Sequence, residues 1–337
     1  MSFLYFLEGI RAPWLDSIVS IITHLGEELV FMAIALVIFW CIDKFEGYYI
    51  LSVGFLGTVL NQFLKITFRI PRPWVTDKNF SIVESARAEA TGYSFPSGHT
   101  QSSVGTFGSL AYWNKSNVIR VIGIILCILV PFSRMYLGVH TPKDVIVSVV
   151  IALILILTIK PIIEKGRTNK KVMWWFLGVM AVLTLIGTLY VLLYNFPADV
   201  DAENLLSAKK NFCKLFGCIV GMLFVYFIDS KYINFKTEAT FLGQIIKLLV
   251  GLAIIVALKE GLKPLLNLVF GGTVINNAIR YFLIVVFAGA VWPLSFKKLS
   301  TFGKSKNYLK NRLFSADLCL YGVDKTLLNL VKYIDRN

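Results

Sequence analysis

The residues of this chain that could do chemistry are concentrated in three polar clusters separated by apolar runs. The clusters occupy residues 65–73, 95–100 and 133–144. They contain two of the chain's three histidines, His99 and His140, together with several cations and one carboxylate. Charges at the ends of hydrophobic segments are costly unless they have a partner or reach water. Cations and imidazoles in such positions indicate a site that holds a phosphate group and cleaves it.

The cations predict the phosphate-binding half of this site. A lysine supplies a compact charge, whereas an arginine presents paired donors that match two phosphate oxygens. The start of a helix adds backbone amides at the positive end of its dipole. The predicted phosphate ligands are therefore Lys65, Arg72, Ser97, Gly98 and Arg134.

The two histidines and the carboxylate predict the reactive half. One neutral imidazole can attack phosphorus, and the other can protonate the departing alcohol oxygen. His140 and Asp144 are four residues apart, which places them on one face of a helical turn. A carboxylate bonded to one ring nitrogen fixes the tautomer and makes the other nitrogen more nucleophilic. We therefore expect His140 to be the nucleophile, Asp144 its orienting partner and His99 the general acid.

The composition places this site in a membrane protein. The 337 residues are 56% hydrophobic and 16% charged, and many apolar runs approach the ~20 residues that cross a bilayer as a helix. The runs are continuously apolar, which disfavours a β-barrel. The predicted fold class is all-α, a polytopic transmembrane helical bundle of about nine spans. The predicted spans are 27–43, 48–66, 97–113, 118–136, 143–159, 173–194, 211–228, 240–258 and 276–295.

The order of these segments predicts three regions. Residues 1–160 form a catalytic core of about five spans, preceded by an interfacial helix over residues 2–24 that Pro13 interrupts. Residues 172–296 form an additional C-terminal transmembrane bundle, and residues 297–337 form a basic cytoplasmic tail. The stretch 160–171 holds five cations and is the predicted linker between the two bundles.

The formal net charge is +14, which in a soluble protein would suggest nucleic acid as the partner. Here the cations cluster in loops between apolar runs, which indicates cytoplasmic loops and anionic lipid rather than nucleic acid. The loops 113–120, 160–171, 229–238 and 297–312 carry two, five, two and six Lys or Arg. Alternation of the spans puts all four loops on one side. The three polar clusters then lie on the extracytoplasmic face of a multi-pass protein of the cell membrane.

Other polar residues in apolar surroundings have simpler interpretations. Lys214 and Lys259 are expected to extend to the membrane interface, and His24 to lie there. Lys247 lies deeper in its predicted span, where this explanation fits less well. The cysteines are expected to be small buried hydrophobes, because their spacing matches no zinc site. They are Cys41, Cys127, Cys213, Cys218 and Cys319.

Read in order, the clusters give the pattern Lys-x6-Arg-Pro, Pro-Ser-Gly-His and Ser-Arg-x5-His-x3-Asp. This pattern resembles the three-part signature of the type 2 phosphatidic acid phosphatase superfamily, which includes lipid phosphate, polyprenyl diphosphate and sphingosine phosphate phosphatases. The resemblance covers roughly residues 25–160. It implies a metal-independent reaction through a phosphohistidine, with no cofactor and with a lipid phosphate or diphosphate as substrate. The filled positions are Lys65, Arg72, Pro73, Pro96, Ser97, Gly98, His99, Ser133, Arg134, His140 and Asp144.

Two alternatives accompany this interpretation. The soluble vanadium haloperoxidases share the family's site, but the apolar setting of this chain argues against them. A phospholipid-binding or translocating membrane protein could retain the pocket without catalysing a reaction. The sequence leaves open the choice among phosphatidate, phosphatidylglycerol phosphate, undecaprenyl diphosphate and sphingoid phosphates, and also the oligomeric state. The presence of both histidines and the aspartate favours the enzyme.

Overall fold

Helices form all the regular structure in residues 1–302, the part of the chain that this computed structural model describes. The predicted all-α class is confirmed. Three π-helical turns, Ile38–Ile42, Asp229–Ile233 and Phe287–Val291, and two 3-10 turns, Glu84–Ala86 and Trp292–Ser295, interrupt or extend the α-helices. The α-helices are α1 Ser2–Gly9, α2 Pro13–His24, α3 Glu28–Val37, α4 Lys44–Phe68, α5 Pro73–Thr76, α6 Gly98–Trp113, α7 Asn117–Tyr136, α8 Pro142–Thr168, α9 Lys170–Leu193, α10 Ala202–Ile228, α11 Phe241–Phe270, α12 Asn276–Val286 and α13 Phe296–Leu299.

Seven helices within residues 1–302 are long and apolar enough to cross a bilayer, namely α4 and α7 to α12, some of them with the short turns that follow. The pair α2 and α3 would add an eighth span, bent by 48° at its break. The remaining long helix, α6, has 16 residues. It rises roughly 24 Å, less than the ~30 Å of a hydrocarbon core. With α6 the count agrees with the prediction of about nine spans.

Helix α4 is the central element of the N-terminal half and packs against α6, α8 and α10. Small residues allow this close approach. A Cβ at Gly54 would lie 2.2 Å from the ring of Phe31, and one at Gly57 would lie 2.4 Å from the amide of Gln101. The α4 helix is therefore held at a fixed height and rotation relative to its neighbours.

The C-terminal helices pack directly on this core. Helix α10 lies against α9, α12 and α4. One cluster of buried hydrophobic side chains continues from Phe31 in α3 to Phe296 in α13. The two halves of the chain consequently share a hydrophobic interior, and α10 is positioned against α4 by packing.

The stretch 160–171, predicted as a linker, is helical instead. Helices α8 and α9 run through it and leave only Asn169 between them. Its cations suit a helix end, because Lys165 and Arg167 lie in the last turn of α8, where the helix dipole favours positive charge. The side chain of Asn169 caps α9. The connection is too short to act as a flexible tether.

Other element boundaries also differ from the predictions. The N-terminal segment forms two helices, because Pro13 begins a new one as its first residue. Helix α10 begins before its predicted span, where Asp201 caps it by accepting a hydrogen bond from the Asn204 amide at 2.8 Å. Hydropathy marks the apolar part of a helix only, so the polar ends were missed. Of the predicted tail at 297–337, residues 303–337 lie outside the described part of the chain.

Ion pairs join the helix ends on both sides of the bundle. On one side, Lys44 pairs with Asp229 at 2.6 Å, and Arg167 pairs with Asp43 at 2.6 Å. On the opposite side, Arg69 approaches Asp199 at 3.3 Å. The loops 69–97, 137–141 and 194–201 therefore share one end of the bundle, as alternating spans require.

We expect Asp229→Ala to destabilise the fold strongly. Asp229 is buried, and its carboxylate accepts hydrogen bonds from Lys44 at 2.6 Å and from the Phe235 amide at 3.0 Å. Removing one partner of a buried pair costs about 3–5 kcal/mol, since the other charge stays unpaired. The measurement is thermal unfolding in detergent. Glu84→Ala removes an exposed pair with Arg87 and should change the midpoint little. Equal midpoints for the two variants would contradict this.

Candidate active site

The residues of the three polar clusters meet at one end of the bundle because each lies at a helix terminus. Lys65 lies in the last turn of α4, Ser97 caps α6, Arg134 lies in the last turn of α7, and Asp144 lies in the first turn of α8. Their exposed fractions are 8%, 0%, 0% and 1%. The structure thus brings the predicted residues together and buries them.

Backbone carbonyl groups hold two of the cations. Lys65 donates from Nζ to the loop before α6, and Arg72 donates to the same loop from Nε and Nη2 at 3.1 and 2.7 Å. Arg72 also donates from Nη1 to the Val139 carbonyl at 2.9 Å. The loop acceptors are the carbonyl oxygens of Thr91, Gly92, Tyr93 and Ser94. Carbonyl oxygens stabilise the cations without cancelling their charge, so the site stays positive.

The third cation, Arg134, has hydrogen-bond donors that are not used within the described part of the chain. Its Nη1 donates to Thr23 Oγ1 in α2 at 2.7 Å. Its Nε and Nη2 are buried and make no hydrogen bond to any residue in the described part of the chain. Buried polar groups are normally paired, and a guanidinium matches two oxygens of one phosphate. Arg134 is therefore suited to bind an oxyanion.

His140 lies between a cation and a carboxylate. Its Nε2 is 2.9 Å from Arg72 Nη1, and its Nδ1 is 3.5 Å from Asp144 Oδ2. Arginine can only donate, so Nε2 accepts, and the ring hydrogen is assigned to Nδ1 on the side of Asp144. Burial, with Arg72 and Lys65 nearby, lowers the pKa of His140. The imidazole is consequently neutral, with its lone pair on Nε2.

Asp144 is fixed from three directions. Its Oδ2 accepts from Ser94 Oγ at 2.6 Å and from the Thr141 amide at 2.8 Å. Its own amide donates to Thr141 Oγ1 at 3.3 Å, which completes a capping box at the start of α8. Ser94 is not among the predicted site residues. The contact with Asp144 spans 50 residues, and no local pattern indicates it.

The start of α6 carries the other predicted site residues. Ser97 caps the helix, and its Oγ accepts from the Thr100 amide at 3.4 Å. The Ser97 carbonyl accepts from Ser148 in α8 at 2.9 Å, which ties the two helix starts together. His99 follows in the first turn, and its buried Nε2 has no hydrogen-bond partner among residues 1–302. This nitrogen is available to a ligand.

A cavity of about 400 Å³ connects these groups. Five of the eight predicted residues line it, whereas Ser97, Arg134 and Asp144 lie outside its lining. Other parts of its walls come from further residues of α4 and from α3 and α10, and sequence analysis assigned no role in the site to α3 or α10. The five lining residues are Lys65, Arg72, Gly98, His99 and His140.

Comparison with known proteins agrees with this arrangement. The chain matches the PAP2 superfamily over residues 46–168 and the PAP2 superfamily phosphatase transmembrane extension over residues 213–305. It is 31% identical over 148 residues to the undecaprenyl-diphosphatase BcrC of Bacillus subtilis (strain 168), covering 42% of this chain and 71% of that protein. The chain belongs to the PAP2 superfamily. The resemblance seen in its motifs is thereby confirmed, and the chain is a multi-pass membrane protein.

Two further PAP2 relatives are lipid phosphatases by name. The chain is 28% identical over 169 residues to phosphatidylglycerophosphatase B of Bacillus subtilis (strain 168), covering 46% of this chain and 79% of the relative. It is 31% identical over 164 residues to a probable sphingosine-1-phosphate phosphatase of Dictyostelium discoideum, covering 45% of this chain and 39% of the relative. No solved structure matches the chain at a significant level. The PAP2 match at 46–168 contains all eight predicted site residues.

Two lysines of the PAP2 extension have partners that sequence analysis did not predict. Lys214 pairs with Glu28 in α3 at 2.5 Å. Lys247 is fully buried, donates to the Thr237 carbonyl at 2.8 Å and lies 4.4 Å from the Phe296 ring centroid. The carbonyl and the aromatic face account for its position within α11.

We expect Arg134→Met to weaken the binding of inorganic phosphate by this PAP2 protein about tenfold or more, since hydrogen bonds to charged groups contribute about 1.5–3 kcal/mol each. The measurement is a phosphate titration of purified protein followed by ³¹P NMR. Arg87→Met is the matched control, because Arg87 is exposed and paired with Glu84. Unchanged phosphate affinity in folded Arg134→Met protein would show that this guanidinium does not bind the anion.

Proposed function

We propose that this protein is a membrane phosphatase that hydrolyses a lipid phosphate or diphosphate monoester through a phosphohistidine formed on His140. The observation that carries the proposal is the pair of contacts made by the His140 ring. Its unprotonated Nε2 accepts a hydrogen bond from Arg72, and its Nδ1 faces Asp144. The names of the PAP2 relatives, a phosphatidylglycerophosphatase and an undecaprenyl-diphosphatase among them, support release of phosphate from a lipid.

Binding comes first in this mechanism. The phosphate oxygens accept hydrogen bonds from Lys65, Arg72 and Arg134, whose positive charges offset the charge of the substrate. The amides at the start of α6, including that of Gly98, add donors at the positive end of the helix dipole. In a buried site these interactions are stronger than they would be in water.

The chemical step then divides between the two histidines. Nε2 of His140 forms a bond to phosphorus while the bond from phosphorus to the alcohol oxygen breaks, and His99 gives that oxygen a proton. Asp144 stabilises the positive imidazole through Nδ1. Water next attacks the phosphohistidine, and His99 takes back a proton. Phosphate leaves and both histidines return to their starting states.

Charge neutralisation in this scheme needs only side chains of the protein. The three buried cations would polarise the phosphate in the role that a metal ion takes in other phosphatases. Metal-independent activity is part of the proposal, and assays in EDTA test it.

The charge distribution supports an extracytoplasmic site at the cell membrane. The helix ends and connections at 113–120, 160–171 and 229–238 carry two, five and two Lys or Arg, and they lie at the end of the bundle opposite the site. Cations favour the cytoplasmic side. The phosphate would then be bound at the outer face, with the lipid tail in the bilayer.

The proposal is tested with purified protein in EDTA, assayed for phosphate release from dioctanoyl phosphatidate and from p-nitrophenyl phosphate. We expect His99→Ala to lose about 10²–10⁴-fold on the lipid, the usual contribution of a proton donor. The loss should shrink on p-nitrophenyl phosphate, whose phenolate needs little protonation. His140→Ala should be inactive on both substrates, because no phosphoenzyme can form.

Three outcomes would contradict this scheme. If the wild type binds lipid but releases no phosphate in EDTA, the protein is a binding or translocating protein or needs a metal. A folded His140→Ala protein with a tenth of normal activity would remove His140 as nucleophile. Equal defects of His99→Ala on both substrates would leave phosphate binding as the role of His99.

The proposed orientation predicts the labelling of single cysteines in intact cells. Asn79→Cys and Thr168→Cys place thiols at exposed positions on opposite ends of the bundle. In a background without the native cysteines, an impermeant thiol reagent should label position 79 only, with both labelled after permeabilisation. Labelling of position 168 alone would reverse the orientation.

A further inference from the structure

The C-terminal extension supplies one wall of the catalytic cavity. Asn211, Lys214 and Leu215 of α10 line the same cavity as His99 and His140. Their spacing of three and four residues puts them on one face of the helix. They lie in or just before the part of the chain that matches the PAP2 extension, outside the part that contains the predicted catalytic residues. The cavity is therefore completed by residues that do not belong to the catalytic clusters.

The opposite wall, on α4, is graded in chemistry. Phe55, Thr58, Gln62 and Lys65 all line the cavity along one face of this helix. The ten residues from Phe55 to Lys65 correspond to roughly 15 Å of rise. The wall thus passes from an aromatic ring through two uncharged polar side chains to a cation. A lipid phosphate presents the same order, from tail to linker to phosphate.

Lys214 lies at the middle level of this gradient. The ion pair between Lys44 and Asp229 fixes α4 and α10 at a common height at the far end of the bundle. Thr58 is 14 residues after Lys44 in α4, and Lys214 is 15 residues before Asp229 in α10. They are therefore nearly level, about 10 Å below Lys65 along the helix axis. This is the level of the linker of a bound lipid rather than of its phosphate.

The charge of Lys214 is balanced at this level. Its Nζ is 2.5 Å from Glu28 Oε2 at the start of α3. Glu27, next to Glu28 at the start of α3, also lines the cavity and pairs with His24. Uncharged donors and acceptors complete the lining around this pair, namely Thr58, Gln62, Ser102 and Asn211. Such a set suits ester carbonyl, hydroxyl or amine groups. A second phosphate is joined to the first through one oxygen, so it would lie beside the cationic cluster and above this level.

We propose that Asn211 and the Lys214–Glu28 pair form a subsite for the uncharged or amine-bearing linker of the substrate, with Lys214 donating to a linker oxygen. The subsite would select lipid monophosphates with a glycerol or sphingoid linker over polyprenyl diphosphates. This inference rests on the proposed function, because it assigns the substrate class of the same site. The extension thereby determines specificity while the catalytic core performs the reaction.

The test compares dioctanoyl phosphatidate, farnesyl diphosphate and p-nitrophenyl phosphate with the purified full-length protein. We expect Lys214→Met to raise KM for phosphatidate about tenfold, with a much smaller effect on p-nitrophenyl phosphate, which has no linker. Lys214→Arg should restore most of the affinity. Glu28→Gln leaves the positive charge of Lys214 without its carboxylate partner. It should therefore raise activity on the diphosphate relative to phosphatidate. Lys259→Met is the control, because Lys259 is partly exposed on α11 and does not line the cavity.

Each alternative gives a different result. If Lys214→Met mainly reduces activity on farnesyl diphosphate, the lysine binds a second phosphate and the inferred class is wrong. If Lys214→Met lowers the melting temperature and weakens all three substrates equally, the ion pair only joins α3 to α10. Failure of the wild type on all three substrates would contradict the proposed function itself, whereas wild-type activity with an unaffected Lys214→Met variant would overturn only this inference.

Discussion

The structure depends on keeping three cations buried at one end of the bundle. Lys65, Arg72 and Arg134 are each less than 9% exposed, and Asp144 is the buried carboxylate that accompanies them. Moving an ion out of water costs several kcal/mol even after relaxation. Carbonyl groups of residues 91–94 and 139 compensate for part of this cost. Those loops must therefore be ordered, and the ends of α4 and α7 must lie at the same height as the start of α8.

This requirement explains why the site residues occupy helix termini. A helix end in a membrane leaves backbone donors or acceptors without intrahelical partners, and these need side chains or ligands. The capping box at Thr141 and Asp144 and the cap at Ser97 satisfy two such ends. The same Asp144 side chain lies 3.5 Å from His140. One carboxylate thus contributes both to the fold of α8 and to the orientation of the imidazole.

Residue type and local spacing were enough to select candidate residues that the fold then brings together, because the candidates lie within short segments. The four-residue spacing from His140 to Asp144 and the helix start at Ser97 are of this kind. Contacts between distant segments were not predictable. Arg134 meets Thr23 across 111 residues, and Lys214 meets Glu28 across 186. Hydropathy indicated the spans but could not show that α8 and α9 continue through the basic stretch 160–171.

The proposed separation between the catalytic residues of the core and the linker subsite on the extension follows from how α10 is packed. Gly217 and Gly221 bring it into close contact with α12, where a Cβ at Gly217 would lie 2.1 Å from the Ala278 carbonyl. Such packing fixes the rotation of α10, and with it the face that carries Asn211, Lys214 and Leu215. The predicted phosphate ligands are held separately by helix ends of the core. Changes on α10 can therefore alter the linker level of the cavity without moving the cations or the histidines, provided that the glycine contacts are kept.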